Sequence, residues 1–157
     1  MKQQKKICNI LKALTVLFSA LSILFFSGFT VYAFHMRENS PSNPVWSFIF
    51  FTWFMAILVL LVLRLFWKVC TQIGNDNSFS LENALYFQQM AIIGTLATIS
   101  YLLRLIYLGL MHCLTLYTSL YCIFLMLLCF GFTVLCESLS KLSQNAYEMK
   151  LENDLTI

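Results

Sequence analysis

Apolar residues in this chain gather into four long runs, 13–34, 45–63, 90–111 and 114–136, and the polar residues collect between them. At about 1.5 Å per residue, each run is near the roughly 30 Å that a helix needs to cross the hydrocarbon of a bilayer. The pattern predicts an all-α polytopic membrane protein with four transmembrane helices, at about 12–35, 45–73, 80–111 and 114–149. Residues 1–157 then form a single four-helix domain with a tail at 150–157. Composition supports this class. The chain is 60% hydrophobic and 11% charged, whereas a soluble domain is about half apolar and about a quarter charged.

The charges give the expected orientation. Lys2, Lys5, Lys6 and Lys12 precede the first run, Arg64 and Lys68 follow the second, and Lys141 and Lys150 follow the fourth. Only Arg37 lies in the loop after the first run. Basic residues accumulate on the cytosolic side, so both termini are expected in the cytosol, in a bacterial plasma membrane. The net charge of +3 then reads as a topology signal, with some attraction to anionic headgroups. Direct nucleic-acid binding is not expected. The start of the chain imitates a signal peptide, with Val31-Tyr32-Ala33 as a passable cleavage site. Its apolar run is longer than the usual h-region, which favours an uncleaved first helix.

Six cysteines, at 8, 70, 113, 122, 129 and 136, include no C-x-x-C pair. Cys122, Cys129 and Cys136 recur every seventh residue, so they share a helix face about 10 Å apart. One metal ion cannot bridge them, nor can they pair as disulfides. Small packing residues are the preferred reading, and no metal or cofactor is expected. In the first helix Ser19, Ser22, Ser27, Gly28 and Thr30 are similarly expected to permit close helix packing.

Two polar segments stand out. Residues 35–44 read as an outward turn with Pro44 opening the second helix. Residues 74–83 begin with a Gly-Asn-Asp-Asn turn, Gly74 being expected to cap the second helix. Ser80 is placed to cap the third helix, Glu82 to complement its dipole and Phe79 to pack back as a staple. Beyond the fourth run, Leu135, Leu139, Leu142, Ala146 and Met149 follow a four-three alternation, the spacing of a helical seam. The last helix is therefore expected to leave the membrane as an amphipathic cytosolic arm. Its seam should pack on the extended second helix or on a partner.

Arg104 is the one charge inside a run. An arginine at mid-bilayer costs about 2.5–3.5 kcal/mol or more and is a functional candidate by default. It lies about 10 Å from the outer end of its helix, so snorkelling or a structural pairing is preferred to a substrate site. His35 and His112 read as interfacial histidines. The acids sit outside the runs with no nucleophile–base arrangement near them, and the chain is expected not to be an enzyme.

The loop Gly74-Asn75-Asp76-Asn77-Ser78-Phe79-Ser80-Leu81-Glu82-Asn83-Ala84 and the tail Lys150-Leu151-Glu152-Asn153-Asp154-Leu155-Thr156-Ile157 resemble two signatures of the bacterial membrane family known as domain of unknown function 2975. Ser78 stands where that family tends to have proline. The resemblance implies four helices and no assigned activity. It also implies proximity to short helix-turn-helix regulators. The resulting expectation is an interaction or regulatory protein. Its cytosolic surface, with Phe79, Ser80, Glu82, Asn83, Leu142, Met149, Glu152, Asn153 and Asp154, would bind a soluble partner such as a small regulator. The alternative is a small transporter or a peptide-toxin immunity-type protein using Arg104. The aromatic second helix is a candidate surface for a homodimer, and the lipid bilayer is the remaining partner.

Overall fold

The computed structural model describes residues 2–39, 45–74 and 80–155, with side chains described at 6, 8–35, 45–74 and 80–153. The described residues form four α-helices and no strand: α1 Lys2–Asn39, α2 Val45–Gly74, α3 Leu81–Leu110 and α4 Leu116–Leu155. Each contains a stretch long and apolar enough to cross a membrane. The protein is thus an all-helical, multi-pass membrane protein. Both prolines, Pro41 and Pro44, lie between α1 and α2, so no helix interior loses a backbone donor to proline.

Many hydroxyl groups within the helices are satisfied locally. Thr15 donates to the Leu11 carbonyl, Thr52 to Phe48 and Ser22 to Phe18, at 2.7–2.8 Å. Thr95, Ser100 and Thr133 make the same return to the preceding turn. Lipid offers no hydrogen bonds, so these side chains must use their own helix.

The chain divides into two compact units, Met1–Asp76 and Asn77–Ile157. The first is an antiparallel hairpin of α1 and α2. At one end the Cys8 thiol donates to the Cys70 carbonyl at 2.9 Å, and Lys12 Nζ lies 5.4 Å from the centre of the Trp67 ring. Toward the other end Phe29 meets Phe48 with ring centres 5.1 Å apart, and Phe34 meets Trp46 edge-on at 6.2 Å. Among the described side chains of α1, Cys8, Thr15 and Ala33 are buried. Ser27 and Gly28 are exposed, and nothing lies within 4 Å of where a Gly28 Cβ would sit. Within the α1–α2 hairpin that glycine makes no close approach. Gly74, the last residue of α2, does: a Cβ there would lie 2.7 Å from Cys8 Sγ.

The second unit is the antiparallel hairpin of α3 and α4. Its turn is a Schellman motif. The His112 amide donates to the Gly109 carbonyl and the Cys113 amide to Leu108, at 3.2 and 3.1 Å. His112 takes the left-handed conformation, φ 52°, that this motif requires. Thr115 then caps α4 by accepting from the Thr118 amide. Along the hairpin Gly94 faces Thr133, and Ala84 faces Ser140. α4 continues as helix to Leu155, past the end near 149 that the pattern suggested. Residues 150–155 contain neither glycine nor proline to stop it.

Candidate functional site

The free end of the α3–α4 hairpin carries most of the polar residues singled out in the sequence. Ser80 is the N-cap of α3, with extended backbone (φ −117°, ψ 154°). Its hydroxyl accepts the Asn83 amide at 3.2 Å. The Ser80 carbonyl accepts the Ala84 amide at 3.2 Å, closing the first turn. Glu82 sits exposed in this turn, where its charge complements the helix N-terminus. Asn83 and Ala84 are wholly buried.

What buries this turn is the last part of α4. The Ser140 hydroxyl donates to the Ala84 carbonyl at 2.8 Å, and the Ser143 hydroxyl reaches the Ser80 carbonyl at 3.5 Å. Ser140, Ser143 and Cys136 are each about 4% exposed. Thr133, Cys136, Ser140 and Ser143 form a stripe of small residues at three-four-three spacing, on the face of α4 that meets α3. Two of its hydroxyls bind backbone carbonyls across the interface. Neither Ser140 nor Ser143 stands out by hydrophobicity, and their small-residue spacing is the one signal of the contact in the sequence.

Of the seam Leu135, Leu139, Leu142, Ala146 and Met149, only Ala146 is half-buried, and the four large residues do not pack within the hairpin. These side chains are 65%, 43%, 59% and 61% exposed. At 100° per residue the seam lies about a third of a turn round α4 from the serine stripe. Within this hairpin the large apolar residues face outward, while the small ones make the close contact. Glu152 and Asn153 are exposed near the end of α4. The structure thus joins Ser80, Asn83 and the last third of α4 at one end of the hairpin. Leu142 and Met149 lie on the adjoining open face. Phe79 and the side chain of Asp154 fall outside the described residues.

Glu137 and Lys141 form an exposed pair at 3.1 Å, one turn apart on α4. Such a surface pair contributes little to stability. Arg104 lies elsewhere, near the turn end of the hairpin. It is buried, with its guanidinium carbon 5.9 Å from the centre of the Tyr107 ring. A tyrosine face can stabilise a desolvated cation. Cys122 and Cys136 are buried and Cys129 is half-buried; all three are free thiols. Among the described residues no group of three or more His, Cys, Asp or Glu side chains could hold a metal ion.

A family model described as protein of unknown function, DUF2975, matches residues 31–157. That span takes in the loop, α3, α4 and the tail. No curated protein and no solved structure matches the chain.

Proposed function

We propose that this chain, which belongs to the DUF2975 family, is a membrane-embedded interaction protein whose α4 arm binds a soluble cytosolic partner. The observation that carries the reading is the division of labour on α4. Its small-residue face is used to dock the first turn of α3, while Leu135, Leu139, Leu142 and Met149 stay exposed beside it.

Helix α4 spans 40 residues, about 60 Å, twice the thickness of the hydrocarbon core. Its charges begin at Glu137, after the apolar run, so the surplus length belongs to the C-terminal end. There, exposed leucines face water rather than lipid, and such a face is a recognition surface for an amphipathic helix. The basic residues flanking the runs support a cytosolic location for this end, in a bacterial plasma membrane. The bond from Ser140 to Ala84 holds the arm on a fixed base, which reduces the ordering cost of binding. The family resemblance favours a small helix-turn-helix regulator as the partner.

The test is a pull-down from solubilised membranes with the double variant Leu142→Glu, Met149→Glu. Both positions are exposed, so insertion and hairpin packing should persist. Loss of a specific soluble partner that the parent chain captures is the expected result. Undiminished capture by the double variant would remove the arm from the account.

A further inference from the structure

Two free thiols meet across the α1–α2 hairpin. Cys8, in the first turns of α1, donates to the Cys70 carbonyl near the end of α2 at 2.9 Å. Both residues are buried, at 5% and 0% exposed. The Cys70 side chain lies within electrostatic range of the Cys8 thiol and bonds to the Thr15 side chain. Gly74 permits this approach. It follows Cys70 by one turn on the same face, and a Cβ there would lie 2.7 Å from Cys8 Sγ and 3.2 Å from Cys8 Cβ. The backbone of α2 thus comes directly up to the Cys8 side chain.

The remaining cysteines lie in the second unit. Cys122, Cys129 and Cys136 are about 10 Å apart along α4, too far to pair with one another, and Cys113 is exposed at the turn. A disulfide needs Cα atoms about 4.4–6.8 Å apart and Cβ atoms about 3.5–4.5 Å apart. The Cys8 sulfur already touches the backbone of Cys70, so closing the bond takes side-chain rotation and a small shift within one contact. The charges flanking the runs favour the cytosol for this end of the hairpin. Disulfides there are rare, and those that form are mostly transient and redox-sensing. Burial shields the pair from large reagents. Hydrogen peroxide is little bigger than water and reaches the thiols when the first turns of α1 open.

We propose that Cys8 and Cys70 are a redox-responsive pair, which hydrogen peroxide converts into a reversible disulfide clamping the start of α1 to the end of α2. The Cys8 thiolate attacks one peroxide oxygen and the O–O bond breaks. Cys8 becomes a sulfenic acid, and the leaving hydroxide takes up the thiol proton as water. The Cys70 sulfur then attacks the Cys8 sulfur and displaces its hydroxyl as a second water. The two thiols lose two electrons and two protons in all, and the peroxide accepts both. A dithiol reductant reverses the step by thiol–disulfide exchange. The pair is independent of what the α4 arm binds.

The full chain in lipid vesicles is treated with hydrogen peroxide. Remaining thiols are blocked with N-ethylmaleimide, and the protein is digested without reduction for mass spectrometry. The expected product is a linked peptide pair carrying Cys8 and Cys70, lighter by two hydrogens than the separate peptides and split by dithiothreitol. Cys8→Ser and Cys70→Ser should each remove it. In Cys70→Ser the Cys8 sulfenic acid should persist and be trapped by dimedone, which reports the first step separately from the second. The parent chain alone decides the matter, so the test does not depend on either variant folding. Absence of the Cys8–Cys70 link at a peroxide dose that oxidises the exposed Cys113 would overturn the proposal. So would a link that forms only after denaturation in SDS, or Cys8 found joined as often to the other cysteines as to Cys70.

Discussion

Replacing Gly94 with alanine puts a methyl carbon 2.5 Å from Thr133 Oγ1 and 3.2 Å from Phe132 Cδ1. The first distance is not tolerated between a carbon and an oxygen, so something must move. The threonine hydroxyl is not free to turn away at no cost, because it donates to the Cys129 carbonyl at 2.9 Å. Rotating it forfeits a hydrogen bond with a net worth of about 1 kcal/mol. Moving α4 instead disturbs a packed contact, typically at about 1–3 kcal/mol. Alanine gains about 0.8–1 kcal/mol of helix propensity over glycine in water. The net expectation runs from near zero, if only the hydroxyl turns, to a loss of about 2 kcal/mol if α4 has to move. Removing the obstructing oxygen with Thr133→Ala should recover most of it, because the Phe132 ring can give by a few tenths of an ångström. The measurement is SDS-induced unfolding in mixed micelles, followed by pulse alkylation of the buried Cys122 and Cys136 with each site quantified by mass spectrometry. A Gly94→Ala protein clearly more stable than the parent would refute the reasoning. A double variant no better than Gly94→Ala would do so as well, since the two effects must be coupled if the contact is real.

Three further outcomes follow from named contacts. His112 occupies a left-handed position that costs a non-glycine residue about 1 kcal/mol or more, so His112→Gly should raise the same SDS midpoint by about that amount. Ser140→Ala should cost about 1 kcal/mol for the lost bond to Ala84, whereas Ser140→Leu forces a large side chain into a site 4% exposed. Faster amide exchange across residues 81–90 should appear strongly only in the leucine variant. Gly74→Ala meets both Cys8 Sγ at 2.7 Å and Cys8 Cβ at 3.2 Å. Because Cβ is fixed to the backbone, adding Cys8→Ala should restore α1–α2 stability only in part, measured by thermal unfolding in detergent.

The four helices were legible because each is an uninterrupted apolar run of bilayer length, a signal that needs no tertiary information. The Ser80 cap was legible for a local reason too: a serine three residues before Asn83 can accept its amide whatever the rest of the chain does. The packing faces were not. In water the large apolar side chains of a helix face inward, and the seam at Leu135, Leu139, Leu142 and Met149 was read by that rule. Within the α3–α4 hairpin the rule fails, because close approach there depends on small residues and on hydroxyls that bind carbonyls across the interface. Thr133, Cys136, Ser140 and Ser143 supply that contact, and hydrophobicity alone gives them no weight. Gly28 and Gly74 make the same point. Their composition signal is identical, yet only the second has a side chain of the neighbouring helix against it.

Site-specific photocrosslinking in native membranes tests whether the open face of the α4 arm engages a soluble partner. A photoreactive residue is placed at Leu142 or Met149, on the seam, and for comparison at Glu148, exposed on the same arm but away from the seam. Both seam positions should crosslink the same small cytosolic protein, and position 148 should give much less of it. Crosslinks from 142 and 149 to lipid or to this chain alone, with no soluble protein caught, would contradict the proposed engagement.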